Sequence, residues 1–513
     1  MQVPFDNTYV RLPERFYARQ SPTPVAKPGL IRVNDDLADL LNIDSHWLRS
    51  EEGIATIAGN HLPQGAEPIA AVYAGHQFGS WNPQLGDGRA ILLGEVIGKD
   101  NRRYDIQLKG SGQTPYSRMG DGRAPLGPVL REYIVSEAMH ALGIATSRAL
   151  AAVTTGESVY REETMPGAVI ARIASSHIRI GTVQFFASRE DHEALRLLVD
   201  HTLARHYPGS YESSMSDGDK ALALLDQVMQ AQAKLVASWQ MVGFIHGVMN
   251  TDNMLLSGET IDYGPCAFMD TYNPETVFSS IDHGGRYAFR NQPGIAHWNV
   301  ACLAQALVPV ISDDEETGVE AAKAALDKFP PYFLEANIAG LRAKLGLVTE
   351  HEGDEQLAKD FLDLLETHQL DFTLSFRRLS EMAGVEPAEN VSKIAGFPTA
   401  FDDWFDRWQK RCGKDDERCG EEQERCGEEQ ESCGEEQNSP DRQAAMLATN
   451  PAMIPRNHLI EEAIREATDS NSFDLFHSLV DALATPYSLD GKSERFLKRP
   501  KPEEVVRQTF CGT

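Results

Sequence analysis

The sequence predicts an α+β chain of two lobes, a β-rich unit followed by a mainly helical one, with a helical extension at the C-terminus. Three observations carry this. Residues 69–112 (IAAVYAGHQFGSWNPQLGDGRAILLGEVIGKDNRRYDIQLKGSG) alternate apolar runs with Gly, Asn, Asp and Pro punctuation, the pattern of short strands joined by turns. Residues 129–144 (VLREYIVSEAMHALGI) put Leu130, Ile134, Ala138 and Leu142 at helical spacing. From about 190 to 245 the period is helical again; ALALLDQVMQAQAKLVASWQMVGF is a long amphipathic stretch that leads directly into His246. Further helical patterns follow at 296–310, 318–328, 355–368 and 456–483. The expected organisation is an N-terminal extension at 1–60, the β-rich lobe at 61–165, the helical lobe at 166–405, an insert at 406–440 and the C-terminal extension at 441–513.

The stretch HGVMNTDNMLLSGETIDYG, residues 246–264, carries the chemistry. A protein-kinase catalytic loop reads H-R-D-x-x-x-x-N and is followed by D-F-G; its first Asp takes the substrate proton, and the Asn and second Asp hold metal. Aligned on His246, the base position is Val248, while Asn253 and Asp262-Tyr263-Gly264 fall where the metal ligands belong. MLLSGETID between them reads as strand, Ser-Gly-Glu turn, strand. A hairpin there brings an amide and a carboxylate oxygen to one end, a donor pair suited to hard Mg²⁺ or Mn²⁺ with phosphate and water completing the shell. Lys109 ends the run YDIQL, and Glu132 follows on the next helix. Together they match the strand lysine and helix glutamate that orient nucleotide phosphates in kinases. The fold expected is therefore protein-kinase-like.

LGDGR (85–89) and GDGR (120–123) each set two glycines around an Asp ahead of an Arg, offering backbone N–H groups and a guanidinium to phosphate oxygens; a lone G-x-G is also an ordinary hairpin turn. Arg172 and Arg179, in ARIASSHIRIGT, add two cations that serve either phosphate binding or internal ion pairs.

Bulk properties narrow the partners. A net charge of −28 argues against nucleic-acid binding. No run of 18 apolar residues exists, so no membrane span is expected. The N-terminal MQVPFDNTYVRLPERFYARQ lacks an apolar signal core, which makes a cytoplasmic address the expectation. The chain is read as a monomer. Of seven cysteines, four recur at 412, 419, 426 and 433 in RCGKDDERCGEEQERCGEEQESCGEEQNS, a spacing that fits neither a zinc knuckle nor a coiled coil. An exposed acidic loop, or a frayed helix, is expected there.

QFGSWNPQLGDGRAILLGE, QLKGSGQTPYSRMGDGRA, SEAMHALGI, HGVMNTDNMLL and TIDYGPCAFMD together resemble the selenoprotein O family, also called YdiU-type proteins. The similarity runs from about residue 5 to 400 and resumes at NPAMIPRNHLIEEAI. It implies a kinase-like fold that binds ATP in reverse, so that AMP is transferred to Ser, Thr or Tyr hydroxyls of proteins and pyrophosphate leaves; some members are described as using UTP and Mn²⁺. It further implies nucleotide contacts at Gly86, Gly88, Arg89, Lys109, Asp121, Gly122, Arg172 and Arg179, metal ligands at Asn253 and Asp262, and Asp252 as the proton acceptor. With the nucleotide reversed, a carboxylate at position 248 would be misplaced. Asp252, read as an exposed acid of pKa about 4, is a weak base, which leaves positioning and charge neutralisation to carry most of the rate.

One segment departs from the family: APLGPVLREYI has Pro125 and Pro128 where a run like LRSSIREFL is usual, and since Pro is tolerated only in a first turn, the start of this helix stays open. Vertebrate members carry selenocysteine near the terminus, where Cys511 stands here, and a Cys266–Cys511 disulfide is the corresponding hypothesis. Two other readings stay open: a kinase using Asp252 as its base, and a non-catalytic pseudokinase scaffold.

Overall fold

The computed structural model describes residues 3–383, 396–428, 442–491, 493–506 and 509, with the backbone alone for 416–428. It is a mixed structure built on one large antiparallel sheet and many helices. Its strands are β1 (Tyr17–Arg19), β2 (Gly29–Val33), β3 (Ile69–Ala71), β6 (Ala90–Ile97), β7 (Arg103–Lys109), β8 (Ala124–Pro125), β9 (Arg148–Tyr160) and β10 (Thr164–Ala174). The order is β1-β3-β6-β7-β10-β9-β2, with β8 beside β10. A small hairpin of β4 (Gly75–Gln77) and β5 (Ser80–Asn82) stands apart, as does the pair β11 (Phe244–Ile245) and β12 (Ala267–Phe268).

Alternation along the central strands sorts side chains onto two faces. Ile106, Leu108, Val169, Ala171 and Ile173 bury one face in a cluster with Leu37, Trp47 and Ile57, from helices Asp35–Leu40, Ser45–Leu48 and Glu51–Ile57. Gln107, Lys109, Ile170 and Arg172 therefore share the other face. On that side the helix Leu126–Ala141 packs, burying Leu126, Leu130, Ile134 and Ala138. Pro125 caps this helix and Pro128 lies in its first turn, so neither proline opposes it.

Within residues 1–60, β1 and β2 belong to the sheet, and the three short helices cover its back. β10 runs across positions 165 and 166.

The helix Asp217–Val242 starts at Ser216, whose side chain accepts from the Asp219 N–H, and ends at Gly243, whose φ of 71° only glycine adopts freely. That stop delivers the chain into β11 and His246. The helix Gln292–Ile311 packs beside it; Phe289–Ile311 is long and apolar enough to cross a membrane by length and composition, yet half of that window is buried inside the protein. Buried Asn299 on this helix donates to the Met249 carbonyl at 3.0 Å, a polar tie to the loop before Asp252.

A further cluster joins Phe361, Phe376, Trp404, Trp408 and Met446. Asp402–Glu428 is helical, and Arg411, Cys412 and Asp415 are buried, so the start of the acidic insert is core rather than exposed loop. Arg411 donates to Asp354 and Asp415 at 2.7 and 2.8 Å. The side chains of Cys419 and Cys426, and Cys433 altogether, lie outside the described residues.

Candidate active site

Strand register assembles the charged cluster. Arg172 on β10 lies opposite Gln107 on β7, and Ile170 lies opposite Lys109, so Lys109 and Arg172 are diagonal neighbours on one face. The helix Leu126–Ala141 brings Glu132 between them. Lys109 Nζ donates to Glu132 Oε2 at 2.6 Å, and Arg172 Nε donates to Glu132 Oε1 at 2.7 Å. The expected Lys109–Glu132 pair is thus formed, and Arg172 completes it.

Asp262 closes the cluster from the loop after His246. Its Oδ1 accepts from Arg172 Nη2 at 2.8 Å and from Lys109 Nζ at 3.3 Å, and its Oδ2 accepts from Arg179 Nη1 at 2.8 Å. Asp262 holds a left-handed φ of 61°, tolerated by Asp better than by most residues. Burial pushes its acidity down, but the charges of Arg172, Arg179 and Lys109 outweigh this and hold its carboxyl well below the usual range. Glu132 is lowered likewise, burial being overcome by Arg172 and Lys109. Lys109, Arg172 and Arg179 face Glu132 and Asp262, and a third carboxylate, Asp87, lies 3.9 Å from Arg179.

The loop itself is shaped differently from the expected hairpin. Residues 254–261 do not pair with each other as strands: Leu255 bridges to Arg179, and Thr260 bridges to Thr146. His246 fixes the loop from beneath. Its Nδ1 accepts from the Val248 N–H at 3.3 Å and its Nε2–H donates to the Ile261 carbonyl at 2.9 Å, the neutral tautomer that burial favours. Val248 leaves this floor apolar, and its carbonyl accepts from Asn253 Nδ2 at 2.9 Å.

Asp252 is not exposed, contrary to the sequence reading. It is 7% accessible; its Oδ2 accepts from Gln77 Nε2 at 3.1 Å, and its Oδ1 is buried without a hydrogen-bond partner among the described residues. Loss of solvation, partly offset by the Arg179 charge, pushes its pKa up to about 6. That makes it a far better base near neutrality than a solvated aspartate.

The profile of the family described as "Protein adenylyltransferase SelO" matches residues 1–484. Three similar proteins carry the name "Protein nucleotidyltransferase YdiU". The one from Rhodopseudomonas palustris (strain BisB5) is 56% identical over 512 residues, spanning 99% of each chain. That from Bradyrhizobium sp. (strain ORS 278) is 53% identical over 511 residues, again 99% of each. That from Rhizobium etli is 52% identical over 515 residues, 99% of this chain and 97% of the relative. The chain belongs to the SelO family. It is a nucleotidyltransferase.

Within this SelO-family site the glycine turns have packing reasons of their own. A Cβ on Gly86, whose φ is 141°, would stand 2.4 Å from the Tyr116 ring, and one on Gly88 would stand 2.9 Å from the Tyr116 carbonyl. Between them Asp87 is buried, accepting from the Ala71 N–H at 3.0 Å and lying 3.9 Å from Arg179. Arg89 is half-buried, and its carbonyl accepts from the Gly110 N–H at 2.7 Å, next to Lys109. Asp121 is exposed and forms a two-pronged pair with Arg161 at 2.9 and 3.0 Å; no described contact joins it to Lys109 or Asp262. Gly122 packs on Gly112, whose N–H donates to its carbonyl at 3.0 Å.

Arg172 is 2% accessible, with its donors on Glu132, Asp262 and Gln107 Oε1, so it is an internal strut. Arg179 keeps a buried Nε with no partner among the described residues and lies over the Tyr73 ring at 4.6 Å. Sequence reasoning missed Tyr73, Gln77, Asp87 and Gln107. Asp87 alone had a signal, standing inside a glycine turn that was assigned only through its neighbours.

The donor set fits a hard divalent cation. No hydrogen bond is formed by Asn253 Oδ1 with the described residues, while its Nδ2 is tied to Val248, which fixes the amide's orientation; Asp262 adds a carboxylate held ionised. No group of three or more His, Cys, Asp and Glu side chains forms a metal cage among the described residues. Cys266 is buried, no disulfide joins any two described cysteines, and Cys511 lies outside the described residues. Nearby, Thr509 Oγ1 donates to the Pro265 carbonyl at 2.7 Å.

Proposed function

We propose that this enzyme transfers AMP from ATP to Ser, Thr or Tyr hydroxyls of proteins and releases pyrophosphate, on a two-lobed kinase-like scaffold, with UMP transfer from UTP as a second activity. The observation that carries the reading is Asp252: a buried carboxylate beside Asn253, with pKa near 6 and one oxygen unpaired, at a loop whose kinase base position is Val248. The acceptor proton passes to Asp252 as the hydroxyl oxygen attacks the α-phosphorus, and the bond to pyrophosphate breaks with its electron pair on the leaving group. Lys109, braced by Glu132 and Arg172, and Arg179, held by Asp262, stabilise the charge that develops there. Gly86, Gly88 and Arg89 border this cluster and complete the nucleotide cradle, while Asp121 and Gly122 act at its rim. A bound Mg²⁺ or Mn²⁺, held by Asn253 and Asp262, supplies neutralisation of phosphate charge. Intact-mass measurement after incubation with ATP and Mg²⁺ tests the chemistry. Gain of one AMP residue on protein is expected; gain of a phosphate alone contradicts it.

A further inference from the structure

The reaction described above gives no task to the C-terminal helices Asn457–Ser470 and Asp474–Leu483. Both pack along the helix Leu126–Ala141, which carries Glu132. A Cβ on Gly127 would stand 3.0 Å from Ile464 Cγ2, the rings of Tyr133 and Phe476 meet edge to face at 5.5 Å, and the Tyr487 hydroxyl donates to the Leu142 carbonyl at 3.1 Å. Within this contact the charged ties gather at one point. Arg131, beside Glu132 in sequence, is 4% accessible; its Nη1 donates to the Cys266 carbonyl at 3.1 Å, and its Nη2 donates to Asn457 Oδ1 at 2.9 Å and to Glu461. Arg456, fully buried at the start of the same C-terminal helix, pairs with Asp371 at 2.9 Å and with Asp270. Cys266 and Asp270 flank β12, the strand the chain enters after leaving Asp262.

The first turn of the C-terminal extension thus holds two parts of the site at once, the helix bearing Glu132 and the segment that follows Asp262. Arg131 and Glu132 are consecutive residues of one helix, so any shift that slackens the first carries the second with it. Glu132 in turn holds Lys109 at 2.6 Å and Arg172 at 2.7 Å, contacts that a displacement of about 1 Å would break. We propose that Arg131 is a positioning residue for nucleotidyl transfer: fixed by Asn457, Glu461 and the Cys266 carbonyl, it sets the helix so that Glu132 keeps Lys109 aimed at the phosphates. This rests on the reading of Lys109 and Glu132 as the pair that orients the nucleotide. Arg131 touches neither nucleotide nor acceptor and acts through Glu132. Stability alone does not account for the Glu461 contact: that side chain is 35% exposed, and a pair of this kind adds little to folding.

The test is a substitution series in the full chain, scored by kcat and KM for ATP in protein labelling from α-labelled ATP, with melting temperature measured alongside and every assay run well below it. Arg131→Met removes all three ties, Arg131→Lys keeps a cation without the fork, and Glu461→Ala cuts the hold from the extension's side. Asp481→Asn is the control, since it cuts another tie of the same extension, to Arg32 on β2. Expected is a kcat loss of roughly ten- to a hundredfold for Arg131→Met, less for Arg131→Lys, and roughly threefold or more for Glu461→Ala with its melting temperature unchanged; KM for ATP moves little, and Asp481→Asn keeps the parental kcat. Parental kcat in Arg131→Met overturns the proposal, as does a loss that Arg131→Lys does not lessen. A loss in Asp481→Asn equal to that in Glu461→Ala overturns it too, because general loosening of the extension is then the cause. Should Arg131→Met fail to fold, Glu461→Ala decides: parental kcat there refutes the role. Glu132→Gln separates the two layers. If it transfers at the parental rate, the phosphate-orienting reading fails; if it is slow while Arg131→Met and Glu461→Ala are normal, the positioning role alone fails.

Discussion

The guanidinium of Arg172 spans Glu132 and Asp262, donating to the first through Nε at 2.7 Å and to the second through Nη2 at 2.8 Å. Neither partner of this bridge is near the other in sequence. It joins the helix 126–141 to the loop that follows His246, across the strand that carries the arginine. Arg172→Met leaves buried Glu132 with Lys109 at 2.6 Å as its remaining cation, while Asp262 keeps Arg179 at 2.8 Å and Lys109 at 3.3 Å. We expect a loss of about 3–5 kcal/mol in denaturant unfolding. Arg172→Lys does not restore it, because one ammonium cannot reproduce the two-directional fork. Parental stability in Arg172→Met would refute the strut.

Asn253 calls for the opposite result. Its side chain makes one described hydrogen bond, to the Val248 carbonyl, so Asn253→Ala costs only about 1 kcal/mol of stability. Labelling from α-labelled ATP is expected to fall about a hundredfold or more, with a higher requirement for Mg²⁺ or Mn²⁺. Unchanged metal dependence would remove Asn253 from the metal site.

Lys344 gives a pH signature far from the chemistry. It is buried over the Phe376 ring at 4.0 Å and near Phe372 at 5.4 Å, and burial pushes its pKa down to about 7. Its folded value lies below the unfolded value near 10.5, so between about pH 7 and 10.5 the unfolded state binds a proton that the folded state does not. Stability from this group therefore rises with pH across that window and is at its lowest, and flat, below it. The rise amounts to at most ~5 kcal/mol. Comparing unfolding free energies of the parent and Lys344→Met at pH 7 and pH 10 checks it: the difference between them should shrink as pH rises. Parallel pH profiles would contradict the buried, destabilised charge.

Cys266 lies one residue from the Pro265 carbonyl that Thr509 holds, and Cys511 follows two residues after Thr509. We expect that pairing of Cys266 with Cys511 makes activity respond to reductant in the parent and not in Cys266→Ser. Equal reductant responses would exclude the disulfide as the cause.

What was legible in the sequence was local. Lys109 at the end of a strand, Glu132 on the next helix, the long helix ending at Gly243, and the His246-to-Gly264 loop all follow from patterns within a few turns or strands. What was not legible depends on partners distant in the chain. Leu255 and Thr260 look like two arms of a hairpin, but their bridging residues are Arg179 and Thr146. Asp252 reads as a polar loop residue, and the approach of Gly75 and Gln77, about 175 positions earlier, together with Gly181, helps to bury it. The strands at 17–19 and 29–33 are too short for periodicity to announce them. Cys412 hides in a polar repeat because helical spacing, not average composition, turns Arg411, Cys412 and Asp415 inward.

The most direct test of the central claim is incubation of the enzyme and acceptor proteins with α-labelled or γ-labelled ATP in parallel. Label retained on protein from the α position, with none from the γ position, is the result expected for AMP transfer through Asp252. Label retained from the γ position would mean a kinase, and label from neither would mean a nucleotide-binding scaffold; either contradicts the account.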